Sequence, residues 1–68
     1  MYPIKTIAEK TGKTTRALRY YEQLGILVPD GRTSAGYRMY SDRAIVQIQW
    51  IEKLNQIGFS LPEIKSFL

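Results

Sequence analysis

Three glycines, each followed at close range by a helix-capping residue or a turn, cut this chain into mostly short helical pieces. Gly12 is followed by Thr14, Gly25 by the Pro29–Gly36 loop region, and Gly58 by Ser60. Glycine favours helix C-termini, and Ser or Thr favours N-caps, because each satisfies backbone groups that a helix end leaves unpaired. Isolated helices of under about 12 residues are marginal in water. Such a chain can fold only by packing several short helices around one shared core.

The pieces read as follows. Pro3 or a neighbour starts a first helix with Ile4, Ile7 and Ala8 in a stripe at i, i+3, i+4. Thr6 with Glu9 also matches a capping box, so that start can slip by a few residues. Thr14 caps a second helix that Gly25 closes, and the tight turn between the two makes a helix-turn-helix candidate. The segment LVPDGRTSAGYRMY reads as a loop or hairpin with strand-like ends near Ile26–Val28 and Tyr37–Tyr40. Ser41 caps a longer third helix in which Ile45, Ile48, Ile51, Leu54 and Ile57 recur every third residue and Trp50 widens the apolar stripe. Ser60 with Glu63 forms a capping box for a last helix running to Leu68, where Pro62 is tolerated in the first turn. Phe59 and Phe67 are expected to staple that helix to the third, with Trp50 in the core. The expectation is a single, mainly α domain over residues 1–68. Residues 1–25 form the helix-turn-helix, 26–40 a small β-hairpin wing, and 41–68 two further helices.

The 68 residues contain no cysteine and no histidine. Disulfides are excluded, and so are the usual soft metal ligands and the imidazole base. The carboxylates show no local pairing for acid–base chemistry, and no phosphate-cradling glycine loop of the P-loop type is present. No enzyme, metal or cofactor is expected. No apolar run reaches the roughly 20 residues of a membrane span, and no signal peptide opens the chain, so a cytoplasmic setting is expected.

The formal net charge is +4, and its placement matters more than its sum. Lys5, Lys10, Lys13, Arg16, Arg19, Arg32 and Arg38 face only Glu9, Glu22 and Asp30 in residues 1–40, whereas residues 41–68 balance to zero. A one-sided basic half suits a polyanion, nucleic acid being the commonest; a solvated surface is the plainer reading. The second helix discriminates between them. At about 100° per residue, Ala17, Leu18, Tyr21 and Leu24 share one arc, while Arg16, Arg19, Tyr20 and Gln23 share the opposite one. The adjacent tyrosines are thereby split, Tyr21 to the core and Tyr20 to the polar face. Two arginines with only Glu22 near the margin are more cationic than an ordinary outer helix face. Arginine grips phosphate and pairs with guanine, and the hydroxyls of Thr14, Thr15 and Tyr20 can bond phosphates beside Lys13. Arg32 and Arg38 bracket the glycine-rich loop beside Tyr37 and Tyr40, a second basic element that can lie along a phosphate backbone. Tyr37 and Tyr40 can alternatively pack the core.

TGKTTRALRYYEQLGIL, GRTSAGYRMYS and IGFSLPEIKSFL, in that order and over nearly the whole chain, resemble the N-terminal DNA-binding domain of MerR-family bacterial transcription regulators. The resemblance implies a winged helix-turn-helix. The helix around Thr15–Leu24 would enter the major groove, the Arg32–Tyr40 hairpin would be a first wing, and the last two helices a second. It points to Arg16 for a base or phosphate contact, and to Arg19, Tyr20, Tyr37 and Arg38 for backbone contacts. It also implies a homodimer on a near-palindromic promoter site, acting on RNA polymerase indirectly by bending and untwisting an overlong promoter spacer. Lys13 departs from the family pattern, which often has an apolar residue there. The family's dimerisation helix and effector domain have no counterpart in these residues, which implies a fragment of a longer regulator or a stand-alone short relative. Two other readings stand beside this one. A short excisionase-like architectural protein shares the winged arrangement, and a protein-interaction module could use the apolar C-terminal helices with Phe67 and Leu68.

Overall fold

A computed structural model describes residues 1–67. The elements in chain order are β1 (Tyr2–Pro3), α1 (Ile4–Thr11), α2 (Thr15–Leu24), β2 (Gly31–Arg32), β3 (Arg38–Tyr40), α3 (Asp42–Gln56) and α4 (Leu61–Lys65). The helix boundaries follow the caps. Thr14 Oγ1 accepts from the Ala17 N–H at 3.0 Å, and Ser60 and Glu63 form a reciprocal capping box at α4. Pro3 does precede the first helical residue, but it caps α1 without a side-chain bond, and the alternative start at Thr6 is not used. The last helix does not reach Leu68 as expected: α4 ends at Lys65, Ser66 caps it by donating its N–H to the Glu63 carbonyl, and Phe67 lies in a turn, while Leu68 itself is outside the described residues.

Ile7, Leu18, Ile26, Leu27, Tyr40, Ile48, Ile51 and Ile64 are almost fully enclosed. They come from α1, α2, the loop after α2, β3, α3 and α4, so every long element contributes to one core. Each buried Ile or Leu contributes about 1.5–3 kcal/mol of transfer free energy, against the conformational entropy lost on ordering the chain. No buried polar or charged side chain interrupts this core among the described residues.

Three further expectations are corrected. Ile26–Val28 is not a strand. Gly25 turns left-handed at φ 81°, and the N–H groups of Ile26 and Leu27 both donate to the Tyr21 carbonyl, at 3.0 and 3.3 Å. This finishes the helix and drives both side chains into the core, an apolar contact typical of such caps. Strand pairing begins later, with Gly31 opposite Met39 and Arg32 opposite Arg38.

The hairpin also gains a strand. β1 pairs antiparallel with β3, giving the order β1-β3-β2. Pro3 sits on the outer edge, where a missing N–H does no harm.

Trp50 is not core: it is 59% exposed, and Ile57 is 71% exposed. Every-third-residue spacing slips back about 60° at each step of a 3.6-residue helix, so the stripe spirals from the buried Ile48 and Ile51 round to solvent. Phe59 and Phe67 do meet edge-to-face at 5.1 Å, but across the turn and end of α4, with Phe67 itself exposed.

Candidate nucleic-acid interface

The second helix carries the two faces that its wheel separates. Leu18 and Tyr21 are buried, and Ala17 and Leu24 are partly so. Arg16, Arg19, Tyr20 and Gln23 are exposed, and with Thr15 they line a shallow concave surface. The Thr14 hydroxyl oxygen is engaged in capping, which fixes the start of α2 and leaves its own O–H to donate outward. Helix N-termini with open N–H groups favour anions, so the Thr14–Arg16 end suits a phosphate.

The wing adds the second part. Thr33 ties the hairpin tip through a 2.8 Å bond from its N–H to the Tyr37 carbonyl, while its hydroxyl accepts from the Tyr37 N–H. Arg32 reaches across the tip to donate to the Gly36 carbonyl at 3.1 Å, so part of its guanidinium is spent on shaping the loop. Tyr37 projects outward at 72% exposure. Tyr40 does the reverse and is buried, which resolves the open question about that pair. Pro3, Ile4, Arg19, Gly36, Tyr37 and Arg38 line one groove. Arg19 belongs to both this groove and the α2 surface, so Arg16, Arg19 and Arg38 form one continuous cationic face.

Lys13 is placed differently. Its ammonium lies 3.5 Å from Glu52 of α3 and its side chain is mostly covered, so instead of standing free for DNA as expected it ties the turn to α3.

Sequence reading missed what anchors the wing. Glu22, on the margin of α2, accepts a 2.7 Å bond from the Tyr40 hydroxyl on one oxygen and pairs with Arg38 Nε on the other. Burial first, and then the neighbouring carboxylate, push the Tyr40 phenol far above its usual range, so it stays a proton donor. The available signal was a lone acid at the edge of a basic face. At the base of the wing, Asp30 accepts from the Ser41 N–H at 2.8 Å and pairs with Arg43 at 2.8 Å, tying β2 to the start of α3. These bonds, led by the one from Ser41, hold the Asp30 carboxyl below its ordinary range.

Among the described residues, no group of three or more His, Cys, Asp or Glu could hold a metal ion, and no helix is long and apolar enough to cross a membrane. The arrangement offers guanidinium and hydroxyl donors on a helix and an adjoining hairpin, which is binding chemistry.

Comparison with known proteins supplies the lineage. The mercuric resistance operon regulatory protein of Bacillus cereus is 37% identical over 67 residues, covering 98% of this chain and 51% of that protein. The HTH-type transcriptional activator mta of Bacillus subtilis is 42% identical over 67 residues, covering 98% of this chain but 26% of its own length. The chain thus spans about half or less of these relatives. Among solved structures, the N-terminal part of that activator superposes with a TM-score of 0.92 at 41% identity, over 97% of this chain and 62% of the other. HiNmlR, a MerR-family regulator lacking the sensor domain and solved bound to promoter DNA, gives 0.88 at 33% identity, over 97% and 52%. The fold is that of MerR-type winged helix-turn-helix domains. Residues 2–68 match the family described as MerR HTH family regulatory protein, and the chain belongs to that family.

Proposed function

We propose that this chain is a sequence-specific double-stranded DNA-binding domain of a transcription regulator. The observation that carries the reading is the continuous face of Arg16, Arg19 and Arg38 across α2 and the wing. α2 has ten residues, and a helix, about 10–12 Å across with its side chains, suits a major groove about 12 Å wide. In this reading Arg16 meets a base edge or phosphate near the start of α2. Thr14, Thr15, Arg19 and Tyr20 bond the backbone beside it. Arg32, Tyr37 and Arg38 extend the contact along the phosphates from the wing, while Lys13, paired with Glu52, braces the turn behind them. The TM-score of 0.88 to HiNmlR, solved on promoter DNA, supports this pose.

The relatives' names are those of operon regulators and activators, which favours promoter control over the excisionase-like architectural role. The partner assignment extends accordingly to a near-palindromic promoter site bound by a homodimer of the full-length regulator. RNA polymerase is affected through the shape of the promoter, and the setting is the bacterial cytoplasm, at the nucleoid.

A fluorescence-anisotropy titration with duplex promoter DNA across a salt series tests the reading. Binding should weaken steeply as salt rises, by roughly 0.9 log units per decade for each phosphate neutralised. Binding that is absent at low salt, or indifferent to salt, would sink it.

A further inference from the structure

An acid lies beside the cationic face, favourably placed in the free protein but at odds with a bound polyanion. Glu22 adjoins a surface suited to a polyanion, and its side chain is only 18% exposed. Its two carboxylate oxygens take different partners on one strand: Oε2 accepts from the Tyr40 hydroxyl and Oε1 pairs with Arg38 Nε. Residues 38 and 40 are two apart on β3, so their side chains leave the same face of the strand. A single carboxylate therefore holds a buried side chain and a half-exposed one side by side.

The consequence falls on Arg38. Its Nε is held by Glu22, while its side chain remains 46% exposed and lines the groove shared with Arg19 and Tyr37. A guanidinium is a planar fork, so fixing Nε fixes the plane in which the Nη groups can meet a second anion. A free surface arginine would have to lose that rotamer freedom on binding.

We propose that Glu22 is a positioning residue for DNA binding: it clips the wing strand to α2 and holds the Arg38 fork aimed at a backbone phosphate. The proposal rests on the DNA-binding reading above. It runs against simple charge counting, in which removing an acid beside a polyanion tightens binding.

The test is anisotropy with a labelled duplex of promoter DNA across a potassium chloride series, on the parent, Glu22→Gln, Arg38→Ala, Arg38→Lys and the Glu22→Gln/Arg38→Ala double variant. Glu22→Gln should weaken binding by roughly tenfold, the scale of one charge-assisted bond. It should also lower the salt slope by about 0.9, as Arg38→Ala does, because one phosphate contact is lost in each. The double variant should bind no worse than Arg38→Ala. Arg38 is on the surface, so Arg38→Lys gives a readout independent of any folding defect in Glu22→Gln. Lysine keeps the charge without the fork, and its affinity should fall towards that of Arg38→Ala.

If Glu22→Gln binds as tightly as the parent or tighter, Glu22 is not a positioning residue. Losses that add in the double variant, or an Arg38→Lys protein that binds like the parent, overturn the proposal equally. A parent with no salt-dependent binding would overturn the DNA reading itself, which none of the other outcomes would do.

Discussion

Arg19 of α2 and Arg38 of β3 line the same groove, although one lies on the helix-turn-helix and the other on the wing. That shared groove makes Arg19 the junction of the basic face. Arg19→Ala should weaken binding to every duplex sequence by a similar factor and lower the salt slope by about 0.9. Parallel titrations on two unrelated duplexes check this. A loss confined to one sequence would place Arg19 on a base edge.

Arg16 stands at the exposed N-terminal end of α2. If it pairs with a base edge, Arg16→Ala should cost about 1–3 kcal/mol of discrimination at one position while leaving weaker, sequence-indifferent binding in place. Competition between the preferred site and its single-base variants measures that difference. Equal losses on all variants would make Arg16 a phosphate contact.

Asp30 gives a pH dependence of defined sign. The Ser41 N–H, with Arg43 beyond it, favours the charged carboxylate, so the folded-state pKa lies below the unfolded one. A depressed carboxylate contributes stability that is fully present above its unfolded pKa and is lost as pH falls through the folded value. Glu63, held down by the Ser60 N–H and hydroxyl, acts in the same direction. Denaturant midpoints should therefore fall on acidification below the ordinary carboxylate range. Asp30→Asn should flatten that fall and lower stability at neutral pH. A midpoint unchanged by acid would contradict the assignment.

Gly25 is held at φ 81°, between the end of α2 and the buried Ile26. Gly25→Ala should destabilise the domain by about 1–2 kcal/mol, the cost of a left-handed backbone at an alanine. Crowding adds little, because the new Cβ would meet only the movable Lys65 ammonium at 3.1 Å. Thermal or urea unfolding measures it, and a neutral or stabilising result would mean that this turn relaxes elsewhere.

Trp50 separates the observed packing from the one its spacing suggests. A surface Trp50→Gln should shift stability by no more than about 0.5 kcal/mol, where a core tryptophan would lose several. Its fluorescence should have the long-wavelength emission of a hydrated indole and be readily quenched by acrylamide. A blue-shifted, protected emission would return it to the core.

What the residues made legible was local. Thr14, Ser41 and Ser60 announced their helices because a cap is a contact between near neighbours. The two faces of α2 were legible because Leu18, Tyr21, Arg16 and Arg19 repeat at true helical spacing. Ile57 misled because a spacing of three only approximates 3.6 and the difference accumulates along α3, and Trp50 misled because it lies about 200° round the helix from Ile48, on the side to which the stripe drifts. β1 was hidden because two residues carry no periodicity, and their pairing with β3 is set by the tertiary fold. The Glu22 bonds to Tyr40 and Arg38 were hidden for the same reason, since their partners arrive from another element. Contacts of that kind decide how the interface is aimed, while the local pattern decides only which residues can belong to it.

The most direct test of the interface is an NMR titration of the isotope-labelled chain with duplex promoter DNA at low salt, following backbone amides and arginine side chains. Thr14–Gln23 and the Arg32–Arg38 wing should shift together and return on adding salt, while the outer face of α3 around Trp50 stays still. Shifts confined to α3 and α4, with α2 unmoved, would contradict the account.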